Sequence, residues 1–158
     1  MEIERKFEVT DFPENLPELR RCTVRQGYLA TRPVTVRIRG TKEEGKEETY
    51  RLCIKGKGTL VRTEVETPLS CEQFSQLAQL LEKSFIKKEY RAYALPEGLV
   101  LECSAVDADK PLGGFLYAEV EFDSVEAANR FVPPDFLKKD LTELPGTSMS
   151  AYWERKPD

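Results

Sequence analysis

Residues 1–7 read Met1-Glu2-Ile3-Glu4-Arg5-Lys6-Phe7, and this stretch carries the pattern that decides the fold. Glu2, Glu4 and Lys6 lie two positions apart, and the apolar residues Ile3 and Phe7 lie on the alternate positions, with Arg5 between them. Because successive side chains of a β-strand point to opposite faces, the stretch predicts a strand with one charged face and one apolar face. Similar alternation recurs downstream, at residues 23–30, 35–40, 49–57, 61–67, 85–93, 99–106 and 115–123.

About eight short strands separated by polar turns are typical of an antiparallel sandwich or barrel. Helices are few. Ser70-Cys71-Glu72-Gln73 has the form of a capping box, and apolar residues at helical spacing after it predict an amphipathic helix over 71–83. Shorter helices are predicted at 125–131 and 148–154. The predicted fold class is α+β, mainly antiparallel β: an eight-stranded closed β-barrel with a few helices packed outside.

Composition excludes several classes of protein. A chain of 158 residues fits one domain, here taken as 1–158. The 24 Lys and Arg residues and 28 Asp and Glu residues give a net charge of −4, which argues against a nucleic-acid binder that works by bulk positive charge. The chain has no histidine, which excludes Ser–His–Asp and Cys–His catalysis and His-ligated zinc.

The four cysteines, Cys22, Cys53, Cys71 and Cys103, are widely spaced and form no CxxC pair, so they are interpreted as reduced thiols. No basic and then apolar stretch resembles a signal peptide, and no apolar run approaches the roughly 18–20 residues that span a bilayer. The expected location is cytoplasmic, with no membrane partner.

The charged residues of several strands keep a period of two, so each set lies on one strand face. Dry burial of so many charges in a closed barrel would cost several kcal/mol for each unpaired ion. We therefore expect the charged faces to line an interior that holds water or a charged ligand, with the apolar faces turned outward against the helices. These sets are Glu2, Glu4 and Lys6; Arg37 and Arg39; Arg51, Lys55 and Lys57; Arg62, Glu64 and Glu66; Lys87, Glu89 and Arg91; Glu102; and Glu119 and Glu121.

An interior with both signs of charge suits a polyphosphate and its divalent ions. Guanidinium and ammonium groups bind phosphate oxygens, and carboxylates bind Mg²⁺ or Mn²⁺ through hard oxygen ligands. Interleaved carboxylates repel a nucleic-acid backbone, so no nucleic-acid partner is expected.

These motifs resemble those of the CYTH proteins, the triphosphate tunnel metalloenzymes. The first strand matches the family's N-terminal E-x-E-x-K signature, and the remaining matches follow in the family's order over nearly the whole chain. The matching segments are residues 1–7, 26–29, 36–39, 52–58, 62–66 and 118–122. The size resembles that of the short, single-domain bacterial members.

The resemblance implies an eight-stranded tunnel that binds a triphosphate together with Mg²⁺ or Mn²⁺. The implied catalytic residues are Glu2, Glu4, Lys6, Glu119 and Glu121. The implied substrate-binding residues are Lys6, Arg37, Arg39, Lys55, Arg62, Lys87 and Arg91. The implied metal-binding residues are Glu2, Glu4, Glu64, Glu66, Glu102, Glu119 and Glu121.

The chain departs from the family pattern in two places. Members usually carry a basic residue two positions before Arg91, where this chain has Glu89; either Lys87 on the same face supplies the charge, or a shift in register brings in Lys88. Members also often have an acidic residue two positions after Glu102, where this chain has Ser104.

The predicted reaction is metal-dependent hydrolysis of a triphosphate, with inorganic tripolyphosphate the expected substrate, giving pyrophosphate and phosphate. Two alternatives stay open. One is another activity of the same fold: nucleoside or thiamine triphosphatase, or adenylate cyclase. The other is a non-catalytic polyphosphate-binding module. The protein is expected to act as a monomer or a homodimer.

Overall fold

Nine antiparallel strands form one continuous sheet in the computed structural model, which describes residues Met1–Asp158. The strands are β1 (Glu2–Val9), β2 (Glu18–Ala30), β3 (Thr35–Glu43), β4 (Thr49–Lys55), β5 (Val61–Arg62), β6 (Glu64–Leu69), β7 (Ile86–Ala94), β8 (Val100–Val106) and β9 (Phe115–Glu121). The α-helices are α1 (Cys71–Ala78), α2 (Val125–Arg130) and α3 (Met149–Arg155). None of these helices is long and apolar enough to cross a membrane.

The sheet closes on itself through the chain. Its strand order is β5-β1-β9-β8-β7-β2-β3-β4-β6, so the two end strands are β5 and β6. Only Thr63 separates these two strands in sequence; β5 pairs with β1, where Glu2 lies opposite Arg62, and β6 pairs with β4. The predicted barrel is confirmed, with nine strands in place of eight because the strand predicted at 61–67 is divided at Thr63.

A tight return of the chain leads into β5. Gly58 has a φ of +131°, and a side chain at this position would collide with the backbone carbonyl of Val61. Only glycine combines such a backbone conformation with so close an approach. The predicted tight connection at Gly56-Lys57-Gly58 therefore brings β5 back toward β1, where it completes the ring.

The outward face of β1 and β9 packs against α2. Phe7, Val120 and Phe122 belong to one buried cluster with Ala128 of the helix. Arg5, which also faces outward, donates hydrogen bonds to the carbonyl oxygens of Ala128 (3.0 Å) and Phe131 (2.9 Å) at the end of α2. These bonds satisfy carbonyls that a helix terminus leaves without partners. The predicted apolar core between barrel and helix is present here.

Helix α1 begins where the sequence predicts it and ends earlier. Ser70 and Gln73 form the predicted capping box. The helix ends at Ala78 in place of residue 83, and tighter turns follow, in which the Leu81 amide donates to the Ala78 carbonyl. Leu81 then packs on Gly27, where a side chain would meet its Cδ1 at 2.6 Å. The chain thus leaves the α-helix just before the residue that packs on Gly27.

The outward apolar face is not covered everywhere. Ile54 is 38% exposed and Val65 is 59% exposed. Helix α1 lies farther along β4, where Phe74 contacts the Tyr50 ring at a centroid distance of 4.7 Å. The prediction that the outward apolar residues pack against helices is therefore wrong for Ile54 and Val65.

Helix α3 differs from a helix packed outside the barrel because it fills one end of the interior. Its residues Met149, Tyr152 and Trp153 join a buried cluster with barrel residues Tyr28, Ile86, Val106 and Tyr117. The Tyr152 hydroxyl donates to the buried Asp107 carboxylate at 2.6 Å. Lys83 donates to three carbonyl oxygens at the end of the helix, those of Trp153 and Lys156 at 2.7 Å and that of Glu154 at 3.0 Å. An apolar cap therefore closes this end of the interior.

Candidate active site

A cavity of about 580 Å³ lies inside the barrel and is lined mainly by charged side chains. Every strand contributes, because the inward positions of each strand carry acidic, basic or hydroxyl groups. Twelve of the predicted site residues line it: Glu2, Glu4, Lys6, Arg37, Arg39, Lys55, Arg62, Glu64, Glu66, Glu102, Glu119 and Glu121. The interior predicted from strand alternation therefore exists as a single cavity.

One wall of the cavity holds a carboxyl pair, Glu4 and Glu119. Burial and the negative charge of Glu119 raise the pKa of Glu4 well above its usual range. Burial alone would raise the pKa of Glu119, but the hydrogen bond from Glu4 and the charges of Lys6 and Lys55 lower it to about 2. Two close carboxyl groups in a buried site cannot both ionise freely. Glu4 therefore carries the proton and Glu119 the negative charge.

Glu2 lies beside this pair and is held by basic residues. Lys55 Nζ lies 3.1 and 3.0 Å from the two carboxylate oxygens of Glu2. Burial and a hydrogen bond with Glu64 nevertheless raise the pKa of Glu2. Burial and the charge of Glu2 also raise the pKa of Glu121. The acidic wall thus resists full ionisation in the absence of a bound cation.

The opposite wall of the cavity is basic, and a further basic residue, Lys6, lies beside the acidic wall, opposite Glu119 in the register of β1 and β9. Arg39 donates from Nε and NH2 to the Gln26 amide oxygen at 3.3 and 3.2 Å. Lys6 Nζ donates to the Thr147 carbonyl at 2.6 Å, in the loop that leads into α3. Each of these cations is therefore held by a neutral acceptor, which leaves its positive charge available to an anion.

Arg37 and Arg62 have donors that nothing in the protein satisfies. The Nε atoms of both residues are buried and have no hydrogen-bond partner. Their nearest carboxylates are too distant for a hydrogen bond: Glu66 lies 3.8 Å from Arg37 and Glu2 lies 3.9 Å from Arg62. Buried donors without acceptors are unfavourable. Their presence in a cavity lining indicates a site that an anionic ligand completes.

Three predicted metal ligands have other partners in the structure. Glu66 accepts from Arg51 at 2.5 Å. Glu102 accepts from the Tyr90 hydroxyl at 2.7 Å, and Glu64 lies 3.5 Å from Lys55. Their predicted roles as metal ligands stay predictions.

Strand β7 faces the opposite way from the prediction. The expected phosphate ligands Lys87 and Arg91 do not line the cavity. Lys87 is exposed, and the Arg91 guanidinium lies over the outer Phe12 ring, 3.8 Å from its centroid, and donates to Glu89 at 2.9 Å. The charged face at Lys87, Glu89 and Arg91 is an outer face, so these two substrate-binding assignments are wrong.

Lys88 lines the cavity in place of Lys87. It is 6% exposed and donates to the Tyr117 hydroxyl at 2.9 Å. Burial and the charge of Arg39 lower the pKa of Lys88 well below its usual range. The sequence gives one indication of Lys88. The family usually has a basic residue two positions before Arg91, and a shift in register brings Lys88 to that place in this chain. Tyr90, two residues on, also lines the cavity.

The carboxylates suit a divalent cation by their chemistry. No three of them converge closely enough to hold an ion in this arrangement, because Glu2 is turned toward Lys55 and Glu4 bonds to Glu119. Hard oxygen donors are the ligands that Mg²⁺ and Mn²⁺ prefer. A cation would also remove the repulsion that keeps Glu4 protonated. The residues on this wall, Glu121 included, therefore fit such an ion.

The protonated Glu4 makes a testable prediction about the metal-free protein. Because folding raises the pKa of Glu4, its contribution to stability is complete below the unfolded pKa and is lost as the pH rises through the folded pKa. We expect the Tm in chelator to fall as the pH rises above the usual pKa of a glutamate toward the raised pKa of Glu4, and Glu4→Gln to make that fall shallower. Thermal unfolding across this range measures both. An equally steep fall in the variant would assign the effect to another group.

Comparisons with known proteins place the chain in a family. No family model matches it. It is 34% identical over 142 residues to the inorganic triphosphatase of Nitrosomonas europaea. The aligned residues cover 90% of this chain and 89% of the relative. The solved structure of the inorganic triphosphatase NE1496 superposes with a TM-score of 0.67 at 29% identity, over 100% of this chain and 97% of that one.

More distant structures share the fold alone. The PH1819 protein of Pyrococcus horikoshii OT3 gives a TM-score of 0.61 at 19% identity over 82% of each chain. The putative adenylyl cyclase HpAC1 from Hippeastrum, whose structure is described as revealing a dominant triphosphatase activity, gives 0.53 at 17% identity over 82% of this chain and 83% of that one. Together with the charged cavity inside the barrel, these similarities show that the chain belongs to the CYTH family of triphosphate tunnel metalloenzymes.

Proposed function

We propose that this protein hydrolyses inorganic triphosphate to pyrophosphate and phosphate. The observation that carries the proposal is the pair of buried guanidinium groups, Arg37 and Arg62, whose Nε atoms have no acceptor inside a cavity that also holds an acidic wall. The relative in Nitrosomonas europaea, named an inorganic triphosphatase, supports this substrate.

The basic wall binds the phosphate chain in this proposal. Arg37 and Arg39 donate to phosphate oxygens through planar guanidinium groups, which match phosphate geometry well. Lys6 and Lys88 add point charges. Because these groups are buried, their attraction for an anion is stronger than it would be in water. Together they neutralise the charge that develops on the departing pyrophosphate.

The acidic wall supplies the other half of the site. Glu2, Glu4, Glu119 and Glu121 would hold Mg²⁺ or Mn²⁺. When bound, such an ion polarises a phosphoryl oxygen and makes a bound water more acidic. A carboxylate of this wall is the proposed acceptor of the proton of the attacking water, since the chain contains no histidine. Glu4 must lose its proton before it can bind a cation. A protonated Glu4 that bonds to Glu119 therefore corresponds to a site without a bound cation.

We also propose a cytoplasmic location. The thiols of Cys22, Cys53 and Cys103 are buried separately in the sheet, and all four cysteines are free. Widely separated free thiols suit a reducing compartment.

Phosphate release from tripolyphosphate, ATP and thiamine triphosphate, measured side by side, tests the proposed activity. With Mg²⁺ or Mn²⁺ we expect tripolyphosphate to be cleaved at least about tenfold faster than the other two, and chelator to abolish turnover. Cyclic AMP is assayed separately. Faster cleavage of ATP or thiamine triphosphate would reassign the substrate within the family. Tight binding of tripolyphosphate without turnover, with and without metal, would replace hydrolysis by a binding function.

A further inference from the structure

Tyr117 lies where the interior of the barrel changes from apolar to charged. The inward residues of β9 are Phe115, Tyr117, Glu119 and Glu121 in order; Phe115 packs on Tyr152 of α3, and the two glutamates belong to the acidic wall. Tyr117 is 3% exposed and lines the cavity. One edge of its ring therefore packs in the apolar cap while its remaining surface faces charged groups.

Two lysines of the cavity contact this one side chain. Lys6 Nζ lies 4.3 Å from the centroid of the Tyr117 ring. Lys88 Nζ lies 5.5 Å from the same centroid and donates to the Tyr117 hydroxyl at 2.9 Å. The negative face of an aromatic ring attracts an ammonium group at the distance of Lys6, and more strongly when water is excluded. Lys88 lies beyond the hydroxyl, so the hydrogen bond is its contact with Tyr117. A neutral side chain thus holds the amino groups of two lysines in a cavity that also contains Arg37 and Arg39.

The charge of Glu119 acts on both lysines, but no carboxylate forms an ion pair with either of them. Lys6 has one further hydrogen-bond partner, the Thr147 carbonyl, and Lys88 donates to Tyr117. A lysine ammonium sits on a flexible stem with four rotatable bonds, so fixing it before a ligand binds reduces the entropy lost on binding. A carboxylate partner would hold each lysine as well, but it would compete with the phosphate for the positive charge.

We propose that Tyr117 is a positioning residue that fixes the ammonium groups of Lys6 and Lys88 for the phosphate chain of the substrate. Its ring acts on Lys6 and its hydroxyl acts on Lys88. This inference rests on the proposed triphosphate site. It adds to that site an uncharged residue, which acts through the two lysines. Because the ring also packs in the apolar cap, the hydroxyl is the part that distinguishes positioning from packing.

Tyr117→Phe removes the hydroxyl and keeps the ring, and Tyr117→Leu removes both. We expect the phenylalanine variant to raise KM for tripolyphosphate about tenfold, with kcat changed less than about threefold, because one hydrogen bond to a charged group is lost. The leucine variant is expected to raise KM about a hundredfold, since the contact with Lys6 is lost as well. Tyr93→Phe is the matched control: it removes the hydroxyl of a buried tyrosine in the outer core and is expected to leave KM unchanged. An unchanged KM in Tyr117→Phe would overturn the inference.

A double-mutant cycle identifies the lysine through which the hydroxyl acts. In a Lys88→Met background, Tyr117→Phe should have no further effect on KM, whereas in a Lys6→Met background it should keep its full effect. Additive effects with Lys88→Met would contradict the assignment. Thermal unfolding of each variant separates these effects from loss of the fold.

Calorimetric binding of tripolyphosphate in chelator makes the test independent of turnover. If the wild-type protein binds tripolyphosphate in chelator but does not cleave it when Mg²⁺ or Mn²⁺ is supplied, the proposed hydrolysis fails, and a roughly tenfold weaker Kd in Tyr117→Phe would still support the positioning role. If the wild type both binds and cleaves while Tyr117→Phe matches it in KM and Kd, the positioning role fails alone. A wild type that neither binds nor cleaves would overturn both.

Discussion

Glu4→Gln is expected to lower kcat for metal-dependent hydrolysis of tripolyphosphate by about a thousandfold while the fold is retained. In the metal-free protein Glu4 is protonated and bonds to Glu119, and a glutamine amide has the same shape and can donate the same hydrogen bond. The variant therefore preserves the resting arrangement. It cannot become a carboxylate, so it cannot contribute charge to a divalent cation. Steady-state phosphate release, with the metal concentration varied, measures both the loss of kcat and any higher metal requirement.

Glu8→Gln is the matched control for this prediction. Glu8 lies on the same strand with the same parity as Glu4, but it is exposed and does not line the cavity. Its replacement should leave kcat and the metal requirement unchanged. Wild-type turnover in Glu4→Gln, with the control also normal, would remove Glu4 from the reaction. Equal losses in both variants would indicate that charge on this strand matters in general.

The barrel could be predicted from the sequence because its signal is local. Alternating charged and apolar residues distinguish the charged face of a strand from its apolar face. Strands with this alternation recur along the chain from Glu2 to Glu121. The division of one strand at Thr63 could not be predicted, since it depends on β5 and β6 pairing with different neighbours. The two end strands of the sheet are joined here by one residue of the chain, Thr63, which closes the barrel. A local sequence pattern does not predict this closure.

The predicted orientation of β7 is wrong because both faces of this strand are partly polar. Lys87, Glu89 and Arg91 form an unbroken charged set, which predicts a tunnel face when strands are considered one at a time. In the structure this set faces outward, and the Arg91 guanidinium lies over the Phe12 ring. The inward set is less regular, with Lys88 and Tyr90 among apolar residues. A single buried lysine carries no pattern of its own, so register with neighbouring strands was needed to identify it.

The position of α3 also depends on tertiary contacts. Its sequence predicts a short helix but not the surface against which it packs. Tyr152 finds its acceptor in Asp107, 45 residues away, and Lys83 binds the carbonyls at the helix end from 70 residues away. The loop before α3 reaches Lys6 through the Thr147 carbonyl. The helix therefore closes one end of the cavity and also contacts a predicted phosphate ligand.

The resting network explains how so many charges persist in one interior. Glu2 is held by Lys55, Glu4 by Glu119, and Arg39 by Gln26. Paired or hydrogen-bonded charges avoid most of the cost of burial. In this network the Nε donors of Arg37 and Arg62 lack acceptors. A bound anion that accepts these hydrogen bonds would remove that unfavourable contribution to the free energy.

Lys88→Met is expected to raise KM for tripolyphosphate about a hundredfold, because the phosphate chain loses a buried donor whose positive charge a bound anion favours. Stability should not fall. Lys88 is buried beside Arg39 and Arg37, and burial together with those charges disfavours its ionised form. A methionine of similar length removes that cost and still packs against Tyr117. We therefore expect the Tm of the variant to equal or exceed that of the wild type, so the rise in KM cannot be attributed to unfolding.

Lys87→Met is the control that the neighbouring residue offers. It removes the same charge one position away, on the exposed outer face of β7, and so leaves the net charge of the two variants identical. Its KM should match that of the wild type, and KM measured at low and high salt should separate a contact inside the cavity from general attraction of the anion. If Lys87→Met raised KM as much as Lys88→Met, the orientation of β7 described above would be wrong. If neither variant changed KM, the phosphate chain would not reach this part of the tunnel.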